Sequence, residues 1–354
     1  MKLFEDQCLL ITGGTGSLGK VLIRKLLSGE MGNPKKIIVF SRDEAKQHFM
    51  RLEYQNRMAA TDEIIYRNFL QKLEFRIGDI RNYGSVTSVL PGVDIVINTA
   101  AMKQVPTCEY SPYEAVSTNV LGAENIVRAI QEHNLPVKTV VGVSTDKACK
   151  PVNVMGMTKA IQERIFVQAN MRCPRTRFIC TRYGNVLASR GSVIPLFLDQ
   201  IRKGGPITIT TPEMTRFLLS LEDAVTLVID AIQAAAPGET WVPHVQSSLV
   251  LNIAKALMGD RDIKIIFTGI RPGEKVHEIM ISEEEVSRTI ERGNHYVIVP
   301  MLPEVTGDKP LKPARTKEYS SAEKIMSLEE TIQLLKSRKL MLEDLNPYEA
   351  ETLR

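Results

Sequence analysis

Cys8-Leu9-Leu10-Ile11-Thr12, followed by Gly13-Gly14-Thr15-Gly16-Ser17-Leu18-Gly19, is the stretch on which the reading of this chain turns. The first five residues are apolar enough for a strand buried on both faces. The G-x-x-G-x-x-G loop then leads into an amphipathic helix expected over Lys20 to Ser28. Glycines in such a loop permit a tight turn, bring backbone close to a pyrophosphate, and let helix and strand pack closely. The helix N-terminus adds its own attraction for phosphate. A glycine-rich loop alone is weak evidence. Here a second strand, Lys36 to Phe40, follows at the spacing of a dinucleotide-binding unit.

That second strand ends in Ser41-Arg42-Asp43. A site for NAD usually has an acidic residue at this strand end for the ribose 2′-hydroxyl, and a site for NADP a cation for the 2′-phosphate. Arg42 offers a planar fork to phosphate oxygens, so NADP is the expected cofactor. Glu44 to Leu70 reads as helical with an irregular excursion around Ala60-Thr61-Asp62. A third strand, Leu73 to Ile77, leads to Gly78-Asp79-Ile80, where Asp79 is placed to accept from an adenine amino group. A fourth, Val93 to Asn98, ends in the small residues Ala100 and Ala101, which let a cofactor lie against backbone. A helix over Pro112 to His133 precedes a fifth strand, Val137 to Val143, and Phe178 to Arg182 is a sixth.

This alternation predicts an α/β fold: a Rossmann-type doubly wound parallel sheet with a smaller, interleaved C-terminal substrate domain. Residues 1–185, joined by about 218–248, are expected to bind the dinucleotide, and 186–217 with 249–300 to bind substrate. Residues 301–354 form an extension without an assigned role.

Chemistry concentrates between Val143 and Lys159 (V-S-T-D-K-A-C-K-P-V-N-V-M-G-M-T-K). Ser144, Thr145, Asp146 and Lys147 are expected to leave the carboxyl end of the fifth strand, where open α/β sheets place their sites. After a turn at Lys150-Pro151, a helix carries Lys159.

The remaining composition excludes several classes. A net charge of +4 is spread over 45 basic and 41 acidic side chains, without a basic block, so no nucleic-acid partner is expected. Five cysteines without C-x-x-C spacing point to a reducing compartment, with neither a disulfide framework nor a zinc site. The N-terminus goes almost directly into a strand, so no signal peptide is expected, and no apolar run approaches membrane-spanning length, so a cytoplasmic protein without membrane contact is expected. His244 and His277 are expected to be structural, and no metal site is expected.

Together these motifs resemble the extended short-chain dehydrogenase/reductase family, and more narrowly its UDP-N-acetylglucosamine 4,6-dehydratases, of the soluble type that inverts C5. The residues carrying the resemblance are Thr12 to Gly19, Phe40 to Glu44 (F-S-R-D-E), Ala100 to Pro106 (A-A-M-K-Q-V-P), Ser144 to Ala148 (S-T-D-K-A), Met214 to Phe217 (M-T-R-F) and Arg271 to Lys275 (R-P-G-E-K). The resemblance implies a hydride taken from C4 of the sugar, a proton lost from C5, water eliminated across C5 and C6, and the hydride returned to C6. It makes Asp146 the acid and Lys147 the base, with Thr145 and Lys159 beside them. A neutral Lys147 near pH 7 is expected if burial and the charge of Lys159 lower its pKa. The family tyrosine is replaced by Met155, four residues before Lys159. Expected cofactor contacts are Gly13, Thr15, Gly16, Ser17, Leu18, Gly19, Ser41, Arg42, Asp79, Ile80, Ala100, Ala101, Lys103 and Lys159. Lys103 and Thr145 are expected to touch the sugar, and Asn185, Arg190, Arg216, Arg271 and Glu274 the UDP of a UDP-sugar substrate. The protein is expected to be a homo-oligomer.

Two other readings stand beside this one. A UDP-sugar 4-epimerase needs a base at C4 and a 4-keto intermediate that turns over, but no acid–base pair at C5 and C6. A non-catalytic NADP-sensing protein would keep the fold without needing Lys159 together with Asp146 and Lys147.

Overall fold

The computed structural model describes residues 2–55, 63–187, 192–307 and 310–344. Six parallel strands come first: β1 (Cys8–Thr12), β2 (Lys36–Ser41), β3 (Leu73–Ile77), β4 (Ile95–Asn98), β5 (Thr139–Thr145) and β6 (Arg177–Tyr183). They belong to a nine-stranded sheet ordered Thr289–Arg292, His295–Ile298, Thr240–Pro243, β6, β5, β4, β1, β2, β3. Thr240–Pro243 runs parallel to β6, and the hairpin Thr289–Arg292/His295–Ile298 closes that edge antiparallel. The order reverses at β1, which pairs with β2 on one side and β4 on the other, so a crevice opens between their carboxyl ends. The expected doubly wound α/β fold is the observed one.

Alternation along each strand feeds two cores. Leu9, Ile11, Val39, Ile97 and Val141 face one way, toward the helices Ser17–Leu27 and Leu221–Ala234. Leu10, Ile38, Val96 and Val140 face the other, toward Gly122–Glu132 and Val154–Arg172. This two-sided burial is why the strands read as continuous apolar runs. The excursion expected around Ala60 to Asp62 lies outside the described residues; helices Glu44–Gln55 and Glu63–Lys72 flank it.

Several boundaries differ from the sequence expectation: the first helix runs Ser17–Leu27 and β4 begins at Ile95. β5 continues through Ser144 and Thr145, which pair with Arg182 and Tyr183, so the polar loop begins at Asp146. Their hydroxyls suit a loop as readily as a strand, but β-branched Thr145 favours the strand. The helix expected from Pro112 to His133 is interrupted by a π-helical turn, Val116–Leu121, a local widening that periodicity does not reveal. Met214 to Phe217 opens a strand, Thr215–Leu219, in a second, four-stranded sheet with Ile325–Met326, Ser247–Leu249 and Asn185–Val186.

A third core lies under that sheet, built from Phe197, Leu198, Ile207, Ile209, Ile253, Leu257 and Leu335. The C-terminal residues are part of it. Tyr319–Ser320 pairs with Ile279–Ile281, Ile325–Met326 pairs with Ser247–Leu249, and the helix Leu328–Ser337 contributes Leu335. No helix among the described residues is long and apolar enough to cross a membrane.

Candidate active site

Four strand ends converge at the crevice, and the glycine loop after β1 forms its floor. Gly13 has φ +65°, and a Cβ there would lie 2.8 Å from the Cα and N of Ala100. Gly19 meets Gly14 so closely that a Cβ would lie 2.4 Å from the Gly14 carbonyl oxygen. Both positions therefore demand glycine, one for its φ and its approach to the β4 loop, the other for helix–strand packing. The helix Ser17–Leu27 starts without a side-chain cap, leaving its first N–H groups for an anion. This cradle fits a dinucleotide pyrophosphate.

The β2 end is also defined. Ser41 receives the Thr15 hydroxyl at 3.4 Å and the Gln47 amide at 3.1 Å. Arg42 is 59% exposed, with Nη1 3.8 Å from the Asp79 carboxylate. Asp79 itself is held by Arg81 through the backbone N–H at 3.0 Å and the guanidinium at 2.7 and 2.9 Å. Its carboxylate is thus already engaged where an adenine acceptor was expected. Ile80 is a core residue, packed on Gly122, and its carbonyl accepts from Asn125 at 2.9 Å. Across the crevice Ala100 is half-buried, and Ala101 and Lys103 are exposed.

Asp146 and Lys147 sit on one tight turn at the carboxyl end of β5. Asp146 is 0% exposed. Its Oδ1 accepts from Thr145 Oγ1 at 2.8 Å and from Lys147 Nζ at 3.1 Å, while Oδ2 has no protein partner. Burial pushes the Asp146 carboxyl above the usual range, Lys147 opposes this, and Glu278 adds to it. Lys147 Nζ also lies 3.3 Å from Glu278 Oε1. Burial draws the Lys147 ammonium down, but Asp146 and Glu278 outweigh burial and hold its pKa above the ordinary lysine value.

That direction corrects the expected neutral Lys147. Between Val143 and Lys159 it is Lys159 whose pKa falls, brought to about 8 by burial. Its Nζ donates to the Val143 carbonyl and, at 2.6 Å, to Gln162. Met155 packs with Cys108 and Ala115 in a small apolar cluster, so this position offers packing and no proton. Gly156 brings the helix onto the Lys147 carbonyl, where a Cβ would lie at 2.2 Å.

The segment around Gly273 and Lys275 lies against this turn. Asn153 caps the helix Val154–Arg172 and donates to the Gly273 carbonyl at 2.7 Å. Lys275 donates to the Cys149 carbonyl at 2.6 Å. The segment R-P-G-E-K thereby rests against the Asp146–Lys147 turn. Arg216 directs Nη1 to the carbonyls of Thr215 and Val276 and lies 3.8 Å from Glu278. Glu274 accepts from Thr210 at 3.2 Å, and Arg271 is exposed. Asn185 has a buried, unpartnered Oδ1. Arg190 lies outside the described residues.

Several buried groups were missed in the sequence. Glu278 lies outside R-P-G-E-K and within V-H-E-I-M, where nothing local marks it. Glu163, Arg182 and Glu285 form a buried ion network next to β5, joined by Ser144, which donates to Glu163. Asn119, on the π-helical turn, ties Met102 to Thr158 through both ends of its amide. All five cysteines are buried and unpaired, and burial pushes the Cys149 thiol up to about 12. No cluster of potential metal ligands occurs among the described residues.

Known proteins agree on the framework. The family model described as polysaccharide biosynthesis protein matches residues 9–300. A UDP-glucose 4-epimerase of Rickettsia conorii is 44% identical over 357 residues, covering 97% of this chain and 99% of that one. The protein of the same name from Rickettsia prowazekii is 43% identical over 348 residues, covering 94% and 96%. The X-ray structure of Pen from Bacillus thuringiensis is similar with a TM-score of 0.85 at 34% identity, covering 96% of this chain and 99% of that one. DesIV, a dTDP-glucose 4,6-dehydratase from Streptomyces venezuelae with NAD and TYD bound, shares the fold, with a TM-score of 0.63 at 20% identity over 76% and 87%. These sequence relatives carry the name of an epimerase, so the narrower dehydratase resemblance is not repeated in them. A model spanning most of the chain, with relatives this similar end to end, places the protein in the polysaccharide biosynthesis protein family, built on the fold of the extended short-chain dehydrogenases/reductases.

Proposed function

We propose that this protein is a UDP-N-acetylglucosamine 4,6-dehydratase that uses a retained nicotinamide dinucleotide, and that the reaction begins at C4 of the sugar. The observation that carries this reading is the Asp146–Lys147 turn. A fully buried carboxyl keeps one oxygen free of protein partners, beside an ammonium, at the strand end next to the dinucleotide cradle. An acid and a base on one short turn suit the loss of a C5 proton and a C6 hydroxyl. A bound dinucleotide supplies the hydride acceptor and donor. Thr145 and Asp146 orient the C4 and C6 oxygens, and Lys147 serves C5 once substrate displaces its present partners.

Epimerisation at C4 is the second reading, favoured by the names of relatives 42–44% identical along nearly the whole chain. Such a reaction needs proton exchange at C4 alone. Met155 cannot provide it for either reaction, since dehydration also begins at the C4 hydroxyl; the Asp146–Lys147 pair, which epimerisation does not need at C5 and C6, is what weighs toward the dehydratase. Incubation of the purified protein with UDP-N-acetylglucosamine and with UDP-glucose separates the two by mass spectrometry. Loss of one water is the expected result, and an isomer of unchanged mass would establish the epimerase.

The cofactor is proposed to be NADP, because Arg42 stands exposed at the end of β2 with only a 3.8 Å approach to Asp79. NAD is printed for distant structural neighbours of the same fold, including a UDP-glucose 4-epimerase of Thermus thermophilus. Nucleotide released by acid from the purified protein is expected to be mostly NADP(H). Release of NAD(H) alone would remove Arg42 from the site.

A further inference from the structure

Lys147 has two carboxylate neighbours, one from each half of the chain. Asp146 precedes it on the same turn, with Oδ1 3.1 Å from Nζ. Glu278 reaches it from just beyond R-P-G-E-K, with Oε1 at 3.3 Å. Glu278 is 2% exposed and its Oε2 has no protein partner, as Asp146 Oδ2 has none. Its backbone is fixed on both sides by Ser321, whose hydroxyl accepts from the Glu278 N–H at 2.9 Å and whose N–H donates to the Glu278 carbonyl at 2.8 Å. Ser321, which directly follows the strand Tyr319–Ser320, therefore holds the backbone of this carboxylate beside the Asp146–Lys147 turn.

One ammonium cannot fully compensate two buried carboxylates, and like charges sharing a site ionise unequally. The surroundings decide which carboxylate keeps the charge. Glu278 faces Lys147, Arg216 at 3.8 Å, and Lys275 in its own segment. His277 is turned away, bonded through Nδ1 to Thr215. Asp146 faces Lys147, the Thr145 hydroxyl and Glu278 itself. More positive charge surrounds Glu278.

We propose that Glu278 is a positioning residue of the reaction, taking the counter-charge of Lys147 so that Asp146 is left as the proton donor. This rests on the acid–base reading of Asp146 and Lys147 and deepens it, since it explains how Asp146 keeps its proton beside Lys147, whose own proton Glu278, 3.3 Å away, is placed to take before Lys147 acts as base at C5. The opposite displacements of the two carboxyls, Asp146 up and Glu278 down, agree with the geometry.

The test is Glu278→Gln, which keeps shape and removes charge, with Glu278→Asp as the variant that keeps charge. Asp146 is followed by ¹³C NMR of aspartate carboxyls, its signal identified by its loss in Asp146→Asn. Without the Glu278 charge, Lys147 pairs with Asp146 alone, and Asp146 is expected to titrate lower by about one pH unit or more. The alkaline limb of the kcat profile should move to lower pH by the same amount, with KM within a few-fold and Glu278→Asp closer to wild type. A folded Glu278→Gln protein whose Asp146 titration does not move overturns the proposal. If Glu278→Gln does not fold, the wild-type titration decides: an Asp146 midpoint at or below the ordinary 3.8 overturns it, and one above supports it. If the wild type converts no UDP-sugar, the proposed function fails, while the NMR titration still judges Glu278.

Discussion

Lys147→Ala is expected to lower product formation by about 10²–10⁴-fold, the usual contribution of a positioned acid–base group, and to leave UDP binding within a few-fold. Lys147 Nζ is placed by Asp146 and Glu278, whereas the groups proposed to hold UDP lie on other segments, so binding and chemistry should separate. Asp146→Asn should lose as much, because an amide of the same shape cannot give a proton. Single-turnover absorbance at the reduced nicotinamide band then divides the steps. Reduction of the cofactor at the wild-type rate by Asp146→Asn would confine Asp146 to C6 and leave the C4 proton to another group. Met155→Ala removes only packing against Cys108 and Ala115, so it should cost stability and keep measurable turnover. Retention of more than about a tenth of wild-type activity by Lys147→Ala would sink the base assignment.

How much of this was legible before folding depends on where each signal lies in the chain. β1 and its glycine loop were legible because strand, turn and helix occupy adjacent residues, and both the φ of Gly13 and the contact of Gly19 with Gly14 are local consequences. The Asp146–Lys147 turn was legible for the same reason. The charge state of Lys147 was not. It depends on Glu278, which tertiary pairing of Ile279–Ile281 with Tyr319–Ser320 brings to the site. Likewise Lys159 was expected to lend its charge to Lys147, yet its ammonium turns to the Val143 carbonyl and Gln162, which only the packing of the helix on β5 determines. Arg216 shows the same limit. Its motif was visible, but the Thr215 and Val276 carbonyls that hold its guanidinium become neighbours through folding.

Glu163→Ala is expected to destabilise the fold by about 3–5 kcal/mol, because it removes one partner of a buried charge and strands the other. Arg182 is 3% exposed and divides its guanidinium between Glu163, at 2.6 and 3.1 Å, and Glu285, at 2.8 and 3.0 Å. Glu163 also accepts from Ser144 at 2.5 Å, so its loss leaves that buried hydroxyl without its acceptor. An exposed pair such as Lys203–Asp199, one helical turn apart, is worth only about 0.3–0.5 kcal/mol. The contrast between the two deletions isolates burial as the cause. pH gives an independent reading. Burial alone would raise the Glu285 carboxyl, but Arg182 outweighs it and brings the pKa to about 2. A carboxylate depressed on folding adds stability that is complete above its ordinary 4.5 and is lost as pH falls toward about 2. Urea unfolding of the wild type should therefore weaken through that window, and more shallowly in Glu285→Gln. Because Ser144 and Thr145 end β5 and Asp146 and Lys147 follow directly in the turn, the Glu163 deletion should also lower turnover at temperatures where the protein remains folded. A Glu163→Ala protein within about 1 kcal/mol of wild type would show that Glu285 and the Met280 carbonyl satisfy Arg182 without it, and that the network does not hold the Asp146–Lys147 turn in place.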